Sequence, residues 1–248
     1  MSEVDYNDEN YDYTKYWNGR DYENNAEFVA LKKLLPEKYQ VEKSVLDIGG
    51  GFGRLIPVLK DSFGSITVVD YSQRLLDIAS QTSVQAGVSI KTIKCDINLL
   101  SDSVVEKYDC VVMVRVSHHL KDLESVFKQV HGILNDRGVF ILEIANKMHF
   151  KSVVLNLIKG NFEYFSKESV SIASKDVTFL NHHPKKVEGL LEEAGFKIEK
   201  KLSVSNFRIP ILKKIFPVKF LLVIENHVQE LLSIVYFGPS IFYKSIKE

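Results

Sequence analysis

The sequence predicts an α/β protein built on a doubly wound, mostly parallel sheet, and three observations carry that expectation. Short β-branched runs alternate with helical segments through the first 145 residues. These runs are apolar throughout, as strands are when helices cover both faces of a parallel sheet. The first of them enters a glycine-rich turn, Gly49, Gly50, Gly51 and Gly53, that opens straight into a helix.

Composition leaves room for such a core. The 248 residues, 45% hydrophobic and 26% charged, match an ordinary globular chain and exclude disordered, fibrous and disulfide-stapled classes. Thirty-two basic side chains balance thirty-two acidic ones, so no global field attracts nucleic acid, which is not an expected partner. The imbalance is local: residues 1–28 hold eight acids against Lys15 and Arg20, and residues 208–248 hold six bases against three acids. The two cysteines, Cys95 and Cys110, lie in apolar strand-like runs, which suits reduced thiols and a cytoplasmic location. The acidic, tyrosine-rich N-terminus does not have the form of a signal peptide, and Phe220 to Ile224 is too short an apolar run to span a bilayer. No membrane insertion is expected.

Along the chain, residues 1–12 are polar and expected to be disordered, and 13–248 are expected to form one domain. Ala26, Val29, Ala30 and Leu34 recur at helical spacing until Pro36 stops them. Val45–Ile48, Ile66–Val69, Ile90–Ile93, Cys110–Val114 and Val139–Ile144 read as strands, with helices around 54–60, 72–82 and 122–134. The rhythm then breaks. Residues 146–181 form an excursion with a helical pattern from Phe150 to Ile158, followed by a helix over Pro184–Ala194, closed by Gly195, and a strand near 196–204. A segment from Phe207 to Leu232, interrupted by Pro210 and Pro217, precedes a last strand over Ser240–Ile246. The excursion and residues 207–232 are expected to build a cap.

A glycine loop between strand and helix serves NAD, FAD and other nucleoside cofactors alike, so its neighbours decide. In the dinucleotide fingerprint the last glycine would fall where this chain has Arg54, and the pyrophosphate would approach Asp47. A carboxylate there opposes a phosphate and favours a cationic ligand. S-adenosylmethionine carries an ammonium and a sulfonium and no phosphate. Nineteen residues after Gly51 the second strand ends at Asp70, followed by Tyr71, where an acid can accept from both ribose hydroxyls. Asp96 follows the third strand, where it can accept from an adenine amino group while the Ile97 N–H donates to the ring. Taken singly, such acids also serve as helix caps.

These segments together, VLDIGGGFGR, VVDYSQRLLDIA, KCDI, YDCVVMVRVSHHL and LNDRGVFILEIAN, resemble the motifs of the class I S-adenosylmethionine-dependent methyltransferases, especially the bacterial enzymes of small substrates. The resemblance is specific over residues 13–145 and weaker beyond. It implies a seven-stranded sheet whose final strand is antiparallel, which fits the last two strand-like runs. It further implies that Val114 to Val116 contact the methionine part of the cofactor through backbone. YWNGRDYE is similar to the family's lid, which carries Tyr16 and Arg20 over to the cofactor carboxylate.

Methyl transfer from a sulfonium requires alignment, exclusion of water and, for a protonated acceptor, removal of a proton. The segment Arg115-Val116-Ser117-His118 lacks the acid or Asn and Pro-Pro-aromatic of amino-methylating enzymes. Cys110 lies too early in its strand to be a cytosine C5 nucleophile. His118, just past the fourth strand beside His119, is the candidate base or acceptor-orienting residue; the pair would serve equally to open the next helix. His182 and His183 precede Pro184 and would as readily orient a helix start. The two pairs complete no recognisable ligand spacing, so no metal is expected. The C-terminal stretch from Asn206, with Lys213, Lys214 and Lys219, is expected to pack on the sheet or on a second copy of the chain, with a membrane or RNA surface as the alternative. Two other readings remain open: an NAD(P)-dependent oxidoreductase, and a non-catalytic fold-mate that binds the cofactor as scaffold or sensor.

Overall fold

The computed structural model describes residues 13–174 and 177–248; the expected N-terminal tail over 1–12 lies outside them. Among the described residues nine strands form: β1 (Gln40–Ile48), β2 (Phe63–Asp70), β3 (Lys91–Lys94), β4 (Tyr108–Met113), β5 (Leu134–Ala145), β6 (Val170–Ser174), β7 (Val177–Asn181), β8 (Phe196–Val204) and β9 (Ser240–Lys247). Seven of them make one sheet in the order β3-β2-β1-β4-β5-β9-β8. Neighbours from β3 to β5 run parallel, and β9 lies antiparallel between β5 and β8. The helices are α1 (Asp21–Leu34), α2 (Ile56–Leu59), α3 (Gln73–Ala86), α4 (Leu100–Ser103), α5 (Leu123–Ile133), α6 (Phe150–Ile158), α7 (Pro184–Glu193), α8 (Pro210–Ile215) and α9 (Val218–Ser233).

Alternation along each strand sends successive side chains to opposite faces, so an uninterrupted apolar strand feeds two cores. Leu46, Ile48, Val111, Met113 and Phe140 pack with α5 and α7 on one face. Val45, Val68, Cys110, Val112 and Phe242 pack with α1, α3 and α9 on the other. Burial raises the Cys110 thiol far above its ordinary range, which makes it inert packing.

Local chemistry sets the helix ends. Ser72 accepts from the Leu75 N–H to open α3, and Gly87 closes it at φ 69°. Asp122 accepts from the Ser125 N–H at 3.0 Å to open α5. The expected helix over 54–60 shrinks to Ile56–Leu59, because Gly49, Gly51 and Gly53 all take positive φ and keep the chain in turns. Conversely β1 and β5 extend upstream of their apolar runs, to Gln40 and Leu134. The two prolines expected to interrupt 207–232 start its two helices: Pro210 is the first residue of α8 and Pro217 caps α9.

The excursion holds α6, a 3-10 turn over Phe162–Phe165 and the hairpin of β6 with β7, which pair antiparallel. Its ends are joined across the rim of the sheet: the His182 N–H donates to the Ala145 carbonyl and the Lys147 N–H to that of His182. Buried Lys147 donates from Nζ to the carbonyls of Ser166 and Glu168 at 2.7 and 2.6 Å and anchors the middle of the segment. At the far side, buried Glu225 of α9 accepts from Tyr22 Oη at 2.6 Å, from the Ser205 N–H at 2.8 Å and from Asn206 Nδ2 at 3.0 Å. This network ties α9 to α1 and to the turn after β8. Among the described residues no helix is long and apolar enough to cross a membrane.

Candidate functional site

Strand order reverses between β1 and β4, and open α/β sheets bind ligands in the crevice that such a switch point leaves beyond the strand ends. The glycine loop stands there. The N–H groups of Gly49 and Gly50 donate to the Val69 carbonyl at 2.7 and 3.1 Å, which fastens the loop to β2. The Gly51 N–H donates to Asp70 Oδ2 at 2.9 Å and the Ser72 N–H to Oδ1 at 2.8 Å. Asp70 is therefore fixed in orientation at the end of β2, and burial raises its pKa against those hydrogen bonds.

Asp47 is 1% exposed, and its Oδ2 has no hydrogen-bond partner among the described residues. A Cβ on Gly50 would come within 2.7 Å of that oxygen and of Val68 Cγ1. Burial, with a smaller contribution from Asp70, pushes the Asp47 carboxyl up to about 7, and the Arg54 guanidinium opposes the shift. A buried carboxylate with one oxygen unpartnered, beneath a loop with no room for a side chain, is a site for a cationic group. The residues fit S-adenosylmethionine. They fit a pyrophosphate badly.

The remaining expected residues distribute unevenly. Asp96 is exposed beyond β3, where its Oδ1 accepts from the backbone N–H and Nδ2 of Asn98, both at 2.9 Å. Half-buried Ile97 packs against the α5 side core, and Tyr71 is 57% exposed beside Asp70. Val114 is buried in the α1 side core. Tyr16, in a 3-10 turn over Tyr13–Trp17, meets Arg20 twice: the guanidinium stacks 4.1 Å from its ring centroid and donates to its Oη at 3.1 Å.

Several residues at this rim were not singled out from the sequence. Arg54 stacks 4.1 Å from the Trp17 ring centroid and pairs with Glu27 at 2.7 Å. Arg115 also donates to Tyr16 Oη, lies 3.7 Å from Glu27 and holds φ at 66°. Its backbone N–H donates to Glu143 Oε2 at 2.9 Å, a carboxyl raised by complete burial. Tyr16, Arg20, Glu27, Arg115 and Arg208 line one cleft. The only sequence signals were the charge of Arg115 straight after β4 and of Glu143 within the last turn of β5's apolar run.

His118 and His119 lie in a 3-10 turn just beyond β4, half-buried, with ring centroids 4.1 Å apart. Both rings meet Phe179 of β7, at 5.1 and 5.4 Å. Burial, then the charges of His119, Arg115 and His182, lowers His118 well below its ordinary value; burial and Arg115 bring His119 to about 4. Both rings are neutral at pH 7. The second pair takes structural work instead. His182 Nε2 donates to the Ser117 carbonyl at 2.9 Å and its Nδ1 accepts from Ser169 Oγ at 2.9 Å, while His183 caps α7 by accepting from the Lys185 N–H. Among the described residues no group of three His, Cys, Asp or Glu is arranged to hold a metal.

A family model for the methyltransferase domain matches residues 16–201. The ubiquinone biosynthesis O-methyltransferase of Coxiella burnetii is 26% identical over 180 residues, covering 64% of this chain and 76% of that one. The crystal structure of an S-adenosylmethionine-dependent methyltransferase from Clostridium acetobutylicum superposes with a TM-score of 0.62 at 16% identity, over 94% of this chain and 96% of that one. The N-methyltransferase NodS from Bradyrhizobium japonicum, in complex with S-adenosyl-L-homocysteine, gives 0.59 at 14% identity over 94% and 90%.

The seven-stranded sheet and its crevice are those of the class I methyltransferases. The chain belongs to the methyltransferase-domain family. The oxidoreductase alternative falls with that assignment.

Proposed function

We propose that this chain transfers a methyl group to a small-molecule acceptor, held beneath a cap made of residues 146–181 and 207–232, with His118 as the base or acceptor-orienting residue. The observation that carries this reading is the neutral His118–His119 pair, set between the end of β4 and Phe179 of the excursion. When bound, S-adenosylmethionine supplies an electrophilic methyl on a sulfonium. The chain's own residues align it. Gly49, Gly50 and Gly51 cradle the nucleoside part, Asp70 accepts from the ribose hydroxyls, with Tyr71 beside it, and Asp96 with the Ile97 N–H meets the adenine. Asp47 faces the ammonium, backbone at Val114 supports the methionine part, and Tyr16 with Arg20 covers the carboxylate.

A neutral imidazole accepts a hydrogen bond from an acidic hydroxyl and receives its proton as the methyl arrives. The name of the Coxiella relative, an O-methyltransferase, supports oxygen as the acceptor atom. Reduced Cys95 and Cys110 support a cytoplasmic location. Incubation of the protein with methyl-labelled cofactor and a metabolite extract tests the reading. A labelled small molecule is expected. Tight S-adenosylhomocysteine binding with no labelled product from any extract would instead favour the scaffold or sensor reading.

Two measurements bear on the cofactor residues. Asp70→Ala is expected to weaken S-adenosylhomocysteine binding by about 1–3 kcal/mol in calorimetry, the usual cost of stranding buried hydroxyls. Normal affinity in a folded variant would remove Asp70 from the ribose site. The second is a pH dependence. Asp47 titrates near 7 in the free protein, and a cationic ammonium binds its carboxylate form. Below pH 7 binding must therefore expel a proton, so affinity is expected to fall about tenfold per pH unit as pH drops and to level off above it. Asp47→Asn should flatten the profile. An unaltered slope in that variant would assign the titration to another group.

A further inference from the structure

Two apolar segments outside the crevice contain no fully buried residue. No residue of α6 is buried, although its sequence FKSVVLNLI is largely apolar, and none of α8 is either. Ile158 is 79% exposed, Ile211 62% and Ile215 63%. The same face continues through Phe216, just past α8, to Phe220 of α9; the two rings stack at 5.5 Å and both remain exposed. The inner side of α9 is spent differently: Leu221, Glu225, Gln229 and Ser233 face α1 and the sheet. The packing expected for the C-terminal stretch thus accounts for one side of this helix only.

The two segments adjoin. Arg208, two residues before α8, is near enough to His149, which opens α6, for its charge to act on that ring, while Phe150 at the start of α6 stacks at 5.0 Å on Phe237, beyond the end of α9. Arg208 also lines the cleft beside Tyr16 and Arg115, so this face borders the mouth of the candidate site.

Charge distinguishes what can cover it. Residues 147–162 and 205–224 carry seven Lys and Arg and no Asp or Glu, in a chain whose thirty-two basic and thirty-two acidic side chains balance only as a whole. Buried Lys147 is held by carbonyls and Lys213 pairs with Glu23 at 2.7 Å, whereas Lys151, Lys159, Lys214 and Lys219 lie exposed among the apolar side chains. A second copy would bring the same unopposed cations against one another. Aliphatic and phenylalanine side chains rimmed by lysines, in segments that themselves carry no acid, match the boundary between headgroup and acyl chain of a negatively charged leaflet. We propose that the face formed by α6, α8 and the start of α9 docks on an anionic lipid bilayer, which would turn the mouth of the cleft towards the membrane.

Sedimentation of the full chain with vesicles tests this, using phosphatidylcholine alone and phosphatidylcholine mixed with phosphatidylglycerol in about equal parts. Binding to the mixed vesicles, absent on phosphatidylcholine and weakened by salt, is expected. Lys214→Glu/Lys219→Glu should lower vesicle affinity by at least about tenfold, each basic residue near the surface contributing separately. Ile215→Asp/Phe220→Asp should do the same through the apolar contact. Both variants alter exposed side chains and should keep wild-type circular dichroism and S-adenosylhomocysteine affinity. Equal binding to both vesicle types, no binding to either, or binding unaffected by the variants would overturn the proposal. So would light scattering that shows a dimer made monomeric by Ile215→Asp/Phe220→Asp without any vesicle binding, the outcome for a second copy as occupant.

Discussion

Gly51→Val is expected to abolish S-adenosylhomocysteine binding, with a loss of at least about a hundredfold in calorimetry, while the fold persists. The reason is backbone geometry. Gly51 holds φ at 54°, in the left-handed region that a β-branched residue adopts only under strain. Its N–H is also the group that fixes Asp70 at 2.9 Å, so a loop that relaxes to relieve the strain releases the carboxylate assigned to the ribose. The added side chain in addition occupies space next to a cradle whose neighbour Gly50 already has no room for a Cβ. Two failures therefore coincide in one substitution. Gly51 is buried at the top of β1 and the two apolar cores are built from other residues, so a cooperative thermal transition, lowered by the strain in the loop, should accompany the lost binding. Normal binding by Gly51→Val would show that this loop is not the cofactor cradle, and a collapsed transition would call for Gly51→Ala, which keeps the strain at smaller volume.

The sheet was legible in the sequence because each central strand is apolar on both faces, and nothing else in a chain of this composition demands such runs. The glycine loop and strand-end acids were legible for a related reason: positive φ and a fixed carboxylate need particular residue types at particular places. Strand ends were read less well. β1 starts at Gln40 and not near Val45, since Gln40 already pairs with Phe63 of β2 and the exposed Glu42 and Lys43, which no hydrophobic pattern marks, fall in an irregularity before the regular pairing resumes at Ser44. The hairpin of β6 and β7 escaped notice because its short strands are partly exposed and lie outside the sheet. The rim cluster of Trp17, Glu27, Arg54 and Arg115 was illegible for a different reason. Each pair joins residues tens of positions apart, and a charge in a sequence does not name its partner. Arg54 shows the cost of that: read as the residue that breaks a dinucleotide fingerprint, it also clamps Trp17 and Glu27 over the crevice.

His118→Ala is expected to cut turnover by about 10²- to 10⁴-fold while leaving S-adenosylhomocysteine affinity nearly intact, the range typical for loss of a positioned proton acceptor. The ring stands past β4 in contact with Phe179, and its burial keeps it neutral far below pH 7. That shift bears on the role. A pKa well under 6.5 leaves the imidazole always ready to accept a hydrogen bond, yet weakens its pull on the proton, so orienting an acidic hydroxyl is favoured over removing a proton from a weakly acidic one. With the cofactor saturating, so that Asp47 is held ionised, the pH profile of kcat/KM for the acceptor should accordingly lack a rise near 6.5, in contrast to an exposed histidine base. His118→Gln separates the two roles, because an amide oxygen can accept the hydrogen bond and cannot carry the proton away. Substantial recovery in Gln over Ala indicates orientation; equal loss in both indicates proton transfer. His119→Ala is the necessary control, since its ring also touches Phe179 and sits 4.1 Å from that of His118. Full turnover in His118→Ala and His119→Ala alike would leave the reaction to alignment alone. Equal losses of thermal stability without loss of turnover would mark the pair as the packing that seats the hairpin on the end of β4.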